Sequence, residues 1–220
     1  MGRLLPVGVL VSGEGTTLDG LAELALGHHL DARIALVVAD RPHAAAIERA
    51  RGRGLPTIVL PSRGADDPET WARRLTEELD AQGVELVVLA GFLTILPASW
   101  IARWTGRAIN VHPSLLPKYG GPGMYGRRVL EAAIASGDRE TGVTVHLVTS
   151  EVDRGPTIAQ ERVPIDPGDT PESLRARIHP VEVLLLADTI RRFAEGSLPL
   201  PYRGWDARAE GRRDPRDARG

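Results

Sequence analysis

The strongest constraint on the fold is a set of short apolar runs that do not alternate. Leu5 to Val11, Ala32 to Ala39 and Val84 to Ala90 are apolar at nearly every position, and a shorter run, Thr57 to Leu60, joins them. A strand with one wet face alternates apolar and polar residues. A run that is apolar throughout suits a strand covered on both faces, as in a parallel sheet. Between these runs the pattern shifts to helical periodicity, from Leu18 to Leu26, Ala44 to Arg53 and Glu69 to Ala81. Strands that alternate with helices imply right-handed crossovers, with helices on both sides of one sheet.

The second half changes character. Ala108 to Val111 reads as a strand and Val129 to Ser136 as a helix. Val143 to Val148 and Thr157 to Ile165 read as two more strands, and the gap between them is too short for a crossover helix, which predicts an antiparallel hairpin. Thr170-Pro171-Glu172-Ser173 has a capping threonine, a proline at the first helical position and an acidic first turn, so a long helix is predicted to about Glu195. The whole is predicted to be α/β: a mostly parallel sheet with flanking helices and an antiparallel hairpin in the C-terminal half. The 220 residues are enough for one domain with a full core, assigned to 1–200. Residues 201–220, rich in Arg, Asp and Gly, read as a loose or packed-on extension.

Charge narrows the partners. The 27 basic and 29 acidic residues leave a net charge of -2, which argues against nucleic acid or a membrane surface as a general partner. There is no cysteine, so disulfides, a thiol nucleophile and thiolate metal sites are excluded. No leader pattern and no membrane-length apolar segment is seen, and a cytoplasmic location is expected. Lys118 is the sole lysine among many arginines, a bias read chiefly as genome composition.

Three segments can carry chemistry. Asn110 and His112 lie two apart on a predicted strand, so both side chains face the same way, and Pro113 ends that strand. An amide that donates and an imidazole that carries protons suit an acyl-transfer site; a purely structural pair is the alternative. Asp153 sits in the Gly/Pro turn Asp153-Arg154-Gly155-Pro156, as a site carboxylate or as an ordinary turn residue. Ser12-Gly13-Glu14-Gly15-Thr16-Thr17 joins a strand to a helix, and reads equally as a phosphate cradle at a helix N-terminus or as a tight turn. It lacks the Gly-Lys-Ser/Thr ending of a P-loop and the third glycine of the dinucleotide fingerprint. His28, His29 and His43 read as surface residues, and His146 as a strand residue packed on its neighbours. His179 and Glu182, three apart on the late helix, read as a solvated face more readily than as a ligand pair. No cluster supports a metal.

Four blocks together are more specific: Val11 to Leu18, Leu89 to Leu96, Ile109 to Tyr119, and Gly142 to His146 continuing to Asp153-Arg154-Gly155-Pro156. In order and spacing they resemble the folate-dependent formyltransferases, and the first loop favours the phosphoribosylglycinamide formyltransferase family among them. The resemblance implies a Rossmann-like fold. It also implies transfer of the formyl group of 10-formyltetrahydrofolate to the amine of 5'-phosphoribosylglycinamide in de novo purine biosynthesis. It assigns Asn110, His112 and Asp153 to catalysis, with Asp153 raising the pKa of His112. Gly15, Thr16, Thr17 and Glu182 fall to the ribonucleotide; Leu93, Thr94, Ile95 and Leu96, with Asn110, fall to the folate co-substrate. Small-molecule substrates, no metal, no nucleic acid, no membrane, and a monomer or homodimer are expected.

The chain departs from the family in several places. Thr16-Thr17 stand where Ser-Asn is usual, and Leu93-Thr94-Ile95-Leu96 where many members have Met-Arg-Ile-Leu. Pro68 occupies the place of an upstream arginine, and Gly120 to Arg128 replace a histidine-containing stretch. A deformylase is the nearest competing reading, since it shares the Asn-x-His and Asp blocks; the expected first strand at Leu5 leaves no place for its usual N-terminal regulatory domain.

Overall fold

A computed structural model describes residues 3–64 and 67–202. Strands β1 (Leu5–Val11), β2 (Ala32–Ala39), β3 (Thr57–Val59) and β4 (Leu86–Leu89) alternate with helices α1 (Thr16–Leu26), α2 (Ala45–Gly52) and α3 (Pro68–Ala81). Then follow α4 (Ala98–Arg103), β5 (Ala108–His112), α5 (Arg127–Ala135), β6 (Glu140–Leu147), β7 (Thr157–Pro164) and α6 (Pro171–Ala194). The seven strands form one sheet in the order β3-β2-β1-β4-β5-β6-β7. Neighbours from β3 to β5 are parallel, and β5–β6 and β6–β7 are antiparallel, as the short gap before Thr157 predicts.

The apolar runs are buried for the expected reason. All seven residues of β1 and all four of β4 are buried, since helices cover both faces. On one face, Leu18, Leu21, Ile47, Leu186 and Ile190 from α1, α2 and α6 pack together; on the other, Trp71, Leu75 and Leu79 of α3 meet Trp100 of α4 and Trp104. Each such side chain contributes roughly 1.5–3 kcal/mol by leaving water. Helix α4 has no counterpart in the sequence reading: six residues are too few to show a period, and what holds it is Trp100 stacked on Trp104 at 5.8 Å.

Helix α6 is fixed at its start by a capping box. Thr170 accepts from the Ser173 N–H at 3.2 Å, and the Ser173 hydroxyl accepts from the Thr170 N–H at 2.9 Å. Asp169 binds Arg177 one turn further in and is held far below the usual carboxylate range by it. Of the expected extension, Tyr202 donates its N–H to Gly106 at 2.7 Å and sets its ring edge-on to Phe193. Residues 203–220 lie outside the described residues. Among the described residues no helix is long and apolar enough to cross a membrane.

The strand order reverses between β1 and β4. In open α/β sheets a crevice forms beyond the strand C-termini at such a point. Here the loops leaving β1 and β4 are bound to each other: Ser12 N–H donates to Gly91 O at 3.2 Å, and Leu93 N–H to Ser12 Oγ at 2.8 Å.

Candidate active site

A cleft of about 360 Å³ opens along this C-terminal edge. One wall is apolar, with Leu89, Phe92, Leu96 and Val148 packed on the α3–α4 core. Another is polar, with Thr17 from α1 and Arg175 and Glu182 from α6. Between them lie Asn110, His112, His146 and Asp153.

Alternation along β5 sets the central group. Ile109 and Val111 enter the α1–α6 core, so Asn110 and His112 point to the opposite face. That face of β5 and β6 is roofed by loops. Thr144 ties the first down: its hydroxyl donates to Ser114 O at 2.7 Å and accepts from Leu116 N–H at 3.1 Å. The antiparallel register sets Asn110 against His146 and His112 against Thr144, so His146 shares the face. The pattern could not reveal this, because sequence does not print the β5–β6 register.

Hydrogen bonds fix the tautomers. His112 Nε2 lies 2.8 Å from Tyr119 O, and a carbonyl only accepts, so Nε2 carries the proton. Nδ1 then faces Asp153 Oδ2 at 3.5 Å. His146 Nδ1 donates to Leu147 O at 2.8 Å, so its Nε2 accepts from Asn110 Nδ2 at 3.0 Å. One Asn110 N–H is therefore used and the other is free for the cleft. Asp153 Oδ2 accepts from Gly121 N–H at 2.9 Å, and Oδ1 is 3.6 Å from His146 Nε2.

The turn that brings Asp153 in is closely built. Tyr119 and Asp153 both have positive φ, 56° and 55°, which costs a non-glycine residue backbone energy. A Cβ at Gly155 would lie 1.8 Å from Leu147 O, so only glycine lets the turn pass so near β6.

Burial governs the charges. It pulls the His112 imidazole below its ordinary value, and the nearby Asp153 carboxylate, acting the other way, does not overcome it. This reverses the net shift expected from the sequence, since a carboxylate at 3.5 Å offsets only part of the lost hydration. Burial alone would raise Asp153, but contacts from His146, His112 and the Gly121 N–H outweigh it and hold the carboxylate below the usual range.

Other anticipated residues fall around this centre. Gly15 caps α1 with φ 76° and no side-chain cap, and a Cβ there would sit 2.5 Å from Ala46 Cβ. Thr16 is half-buried, and Thr17 lines the cleft. Leu93, Thr94, Ile95 and Leu96 all line it too, with Leu96 buried and Ile95 exposed at the rim. Thr94 donates to Asp40 at 2.5 Å, pinning this loop to the end of β2. The solvated-face reading of His179 and Glu182 is corrected: Glu182 is only 5% exposed, and His179 Nε2 is buried without a partner among the described residues. Packing of α6 on the sheet and α1 buries that face, and burial pushes the Glu182 carboxyl up to about 7, with Arg175 only partly opposing it. His146 is buried on β6 as a packed strand residue, and it also lines the cleft, as does Arg175; neither is assigned to the site from sequence. Among the described residues no group of three or more His, Asp or Glu is arranged to hold a metal ion.

A mostly parallel sheet with a crevice at its switch point, lined by an amide, two imidazoles and a carboxylate, fits a group-transfer enzyme. The chain belongs to the formyl transferase family, whose model matches residues 6–190. It is 36% identical over 192 residues to phosphoribosylglycinamide formyltransferase of Escherichia coli (strain K12), covering 87% of this chain and 88% of that one. Glycinamide ribonucleotide transformylase 1 from Symbiobacterium toebii superposes with a TM-score of 0.82 at 36% identity, over 89% of this chain and 90% of that one. A formyltetrahydrofolate deformylase from Pseudomonas syringae pv. tomato superposes with a TM-score of 0.78 at 26% identity, over 88% of this chain and 62% of the deformylase chain.

Proposed function

We propose that this chain transfers the formyl group of 10-formyltetrahydrofolate to the amine of 5'-phosphoribosylglycinamide, a step of de novo purine biosynthesis in the cytoplasm. The observation that carries the reading is a single cleft holding Asn110, His112 and Asp153 at its centre, an uncapped helix N-terminus on one wall and an apolar slot on another. The slot suits a flat heteroaromatic ring. The main-chain N–H groups of Phe92, Thr94, Ile95 and Leu96 make no hydrogen bond among the described residues, which leaves them open to the ring's polar edge. Residues 1–200 serve as one catalytic domain in this reading.

The amine attacks the formyl carbon, and negative charge grows on the formyl oxygen. Asn110 supplies its free amide N–H to that oxygen, and a preorganised donor of this kind lowers a barrier by about 2.7–4 kcal/mol. His146 holds the amide in that orientation. With Nε2 committed to Tyr119, His112 takes up a proton at Nδ1, where the resulting cation pairs with Asp153. The folate nitrogen gains a proton as the bond to it breaks, and the same pair returns it. Low resting basicity, set by burial, keeps the imidazole neutral and ready to accept. Glu182 and the Gly15–Thr17 loop hold the ribonucleotide.

The test is formyl transfer from 10-formyltetrahydrofolate, followed with and without 5'-phosphoribosylglycinamide. Formylation of the ribonucleotide supports the reading. Release of formate to water alone assigns the chain to the deformylase chemistry, and binding of both ligands with no turnover makes it a binding protein.

A further inference from the structure

Three acids line the cleft, Glu151, Asp153 and Glu182, against a single Lys or Arg side chain among the described residues, Arg175. A doubly charged phosphate entering such a cleft meets net repulsion unless that one cation faces it. Arg175 is placed to do so. Its Nη2 donates to Thr16 Oγ1 at 3.2 Å, bringing the guanidinium from α6 over the first turn of α1. It has no carboxylate within 4.0 Å among the described residues, whereas Arg177, two positions on, is taken up by Asp166 and Asp169. Below it the α1 N-terminus lacks a side-chain cap, so its first N–H groups are unclaimed. Glu182, 5% exposed and without a hydrogen-bond partner among the described residues, lines the same cleft as Thr17.

We propose that Arg175 is the ribonucleotide-selecting cation of this chain, its guanidinium closing over the substrate phosphate against the N–H groups of Thr16 and Thr17. A guanidinium presents two parallel donors, which match two phosphate oxygens. Thr16 holds it in place before substrate arrives, so little side-chain freedom is lost on binding. The proposal rests on the formyl-transfer reading. It adds that a guanidinium from α6 joins the main-chain N–H groups of α1 in holding the phosphate.

The experiment compares wild type, Arg175→Ala and Arg175→Lys. It uses steady-state formyl transfer at varied ribonucleotide and folate, and calorimetric titration with ribose 5-phosphate. Loss of a charge-assisted contact predicts that Arg175→Ala raises the ribonucleotide KM roughly 10- to 100-fold. Turnover at saturation stays within about 3-fold, the folate KM is unchanged, and ribose 5-phosphate affinity falls in parallel. Arg175→Lys recovers part of the loss. A ribonucleotide KM and a ribose 5-phosphate affinity both unchanged in Arg175→Ala overturn the proposal, as does a fall in turnover with KM intact. If wild type formylates no ribonucleotide, the functional reading fails; the titrations still decide, by an Arg175-dependent or Arg175-independent affinity, whether this residue binds phosphate.

Discussion

The parallel half of the sheet, β1 to β4, and its antiparallel corner, β5 to β7, border the same cleft and are built differently. The parallel half has β1 and β4 buried on both faces, with edge strand β3 half-buried, and it presents loop ends and helix termini: main-chain groups held by packing. In the corner, the polar side chains Asn110, His112 and His146 share one face of β5 and β6 and are roofed by loops strained at Tyr119 and Asp153. Under the proposed function, that difference in build assigns binding and chemistry to different parts of one sheet. In the proposed reading, main-chain donors and α6 hold the ligands, and side chains of the corner make and break the bonds.

Changing the corner tests that division most severely. His112→Ala is expected to lower turnover about 10²- to 10⁴-fold while the ribonucleotide dissociation constant, read by calorimetry, stays nearly constant. A large loss of binding with turnover retained breaks the comparison. His146→Leu removes the acceptor that orients Asn110 without touching the reacting atoms, and turnover should fall by about 10-fold, a share of what losing the donor itself costs. Equal losses in His146→Leu and Asn110→Ala make His146 a direct participant.

Asp153→Asn takes away the one charge that raises His112, so the apparent pKa of the rate profile should move down. An unchanged profile removes Asp153 from the proton path. Glu182 probes the other wall. Its carboxyl sits at about 7 against an ordinary 4.5, so the folded chain holds a proton that the unfolded chain has released across that window. Stability is therefore full below about pH 4.5 and falls as pH rises through 7. Glu182→Gln should flatten that fall in thermal unfolding and exceed wild type at pH 8 by on the order of 3 kcal/mol at most. The smallest effect belongs to the scaffold: Thr170→Ala costs about 1 kcal/mol through the lost cap, with kinetics unaltered.

Particular elements mark how far the sequence was legible. β1 and β2 are bounded as the apolar runs indicate, and the Thr170 cap falls where predicted, because local chemistry settles strands buried on both faces and helix starts. Pro113 ends β5 as its missing N–H requires. The short α4 left no period to read. His146 stayed hidden because its partner across β5 depends on a register, and the face of Glu182 was misread because α6 has residues buried against both the sheet and α1.

From its residues alone the chain determined the order of strands and helices, the hairpin, and the pairing of Asn110 with His112 on one face, since each follows from periodicities and turns a few residues long. Only the tertiary structure decided that Asp153 meets His112, that His146 orients Asn110, and that Arg175 is the cleft's sole guanidinium among the described residues. It also decided that burial outweighs a neighbouring charge at the imidazole. Those outcomes depend on which distant segments touch and how much water they exclude, and both are properties of the packed molecule.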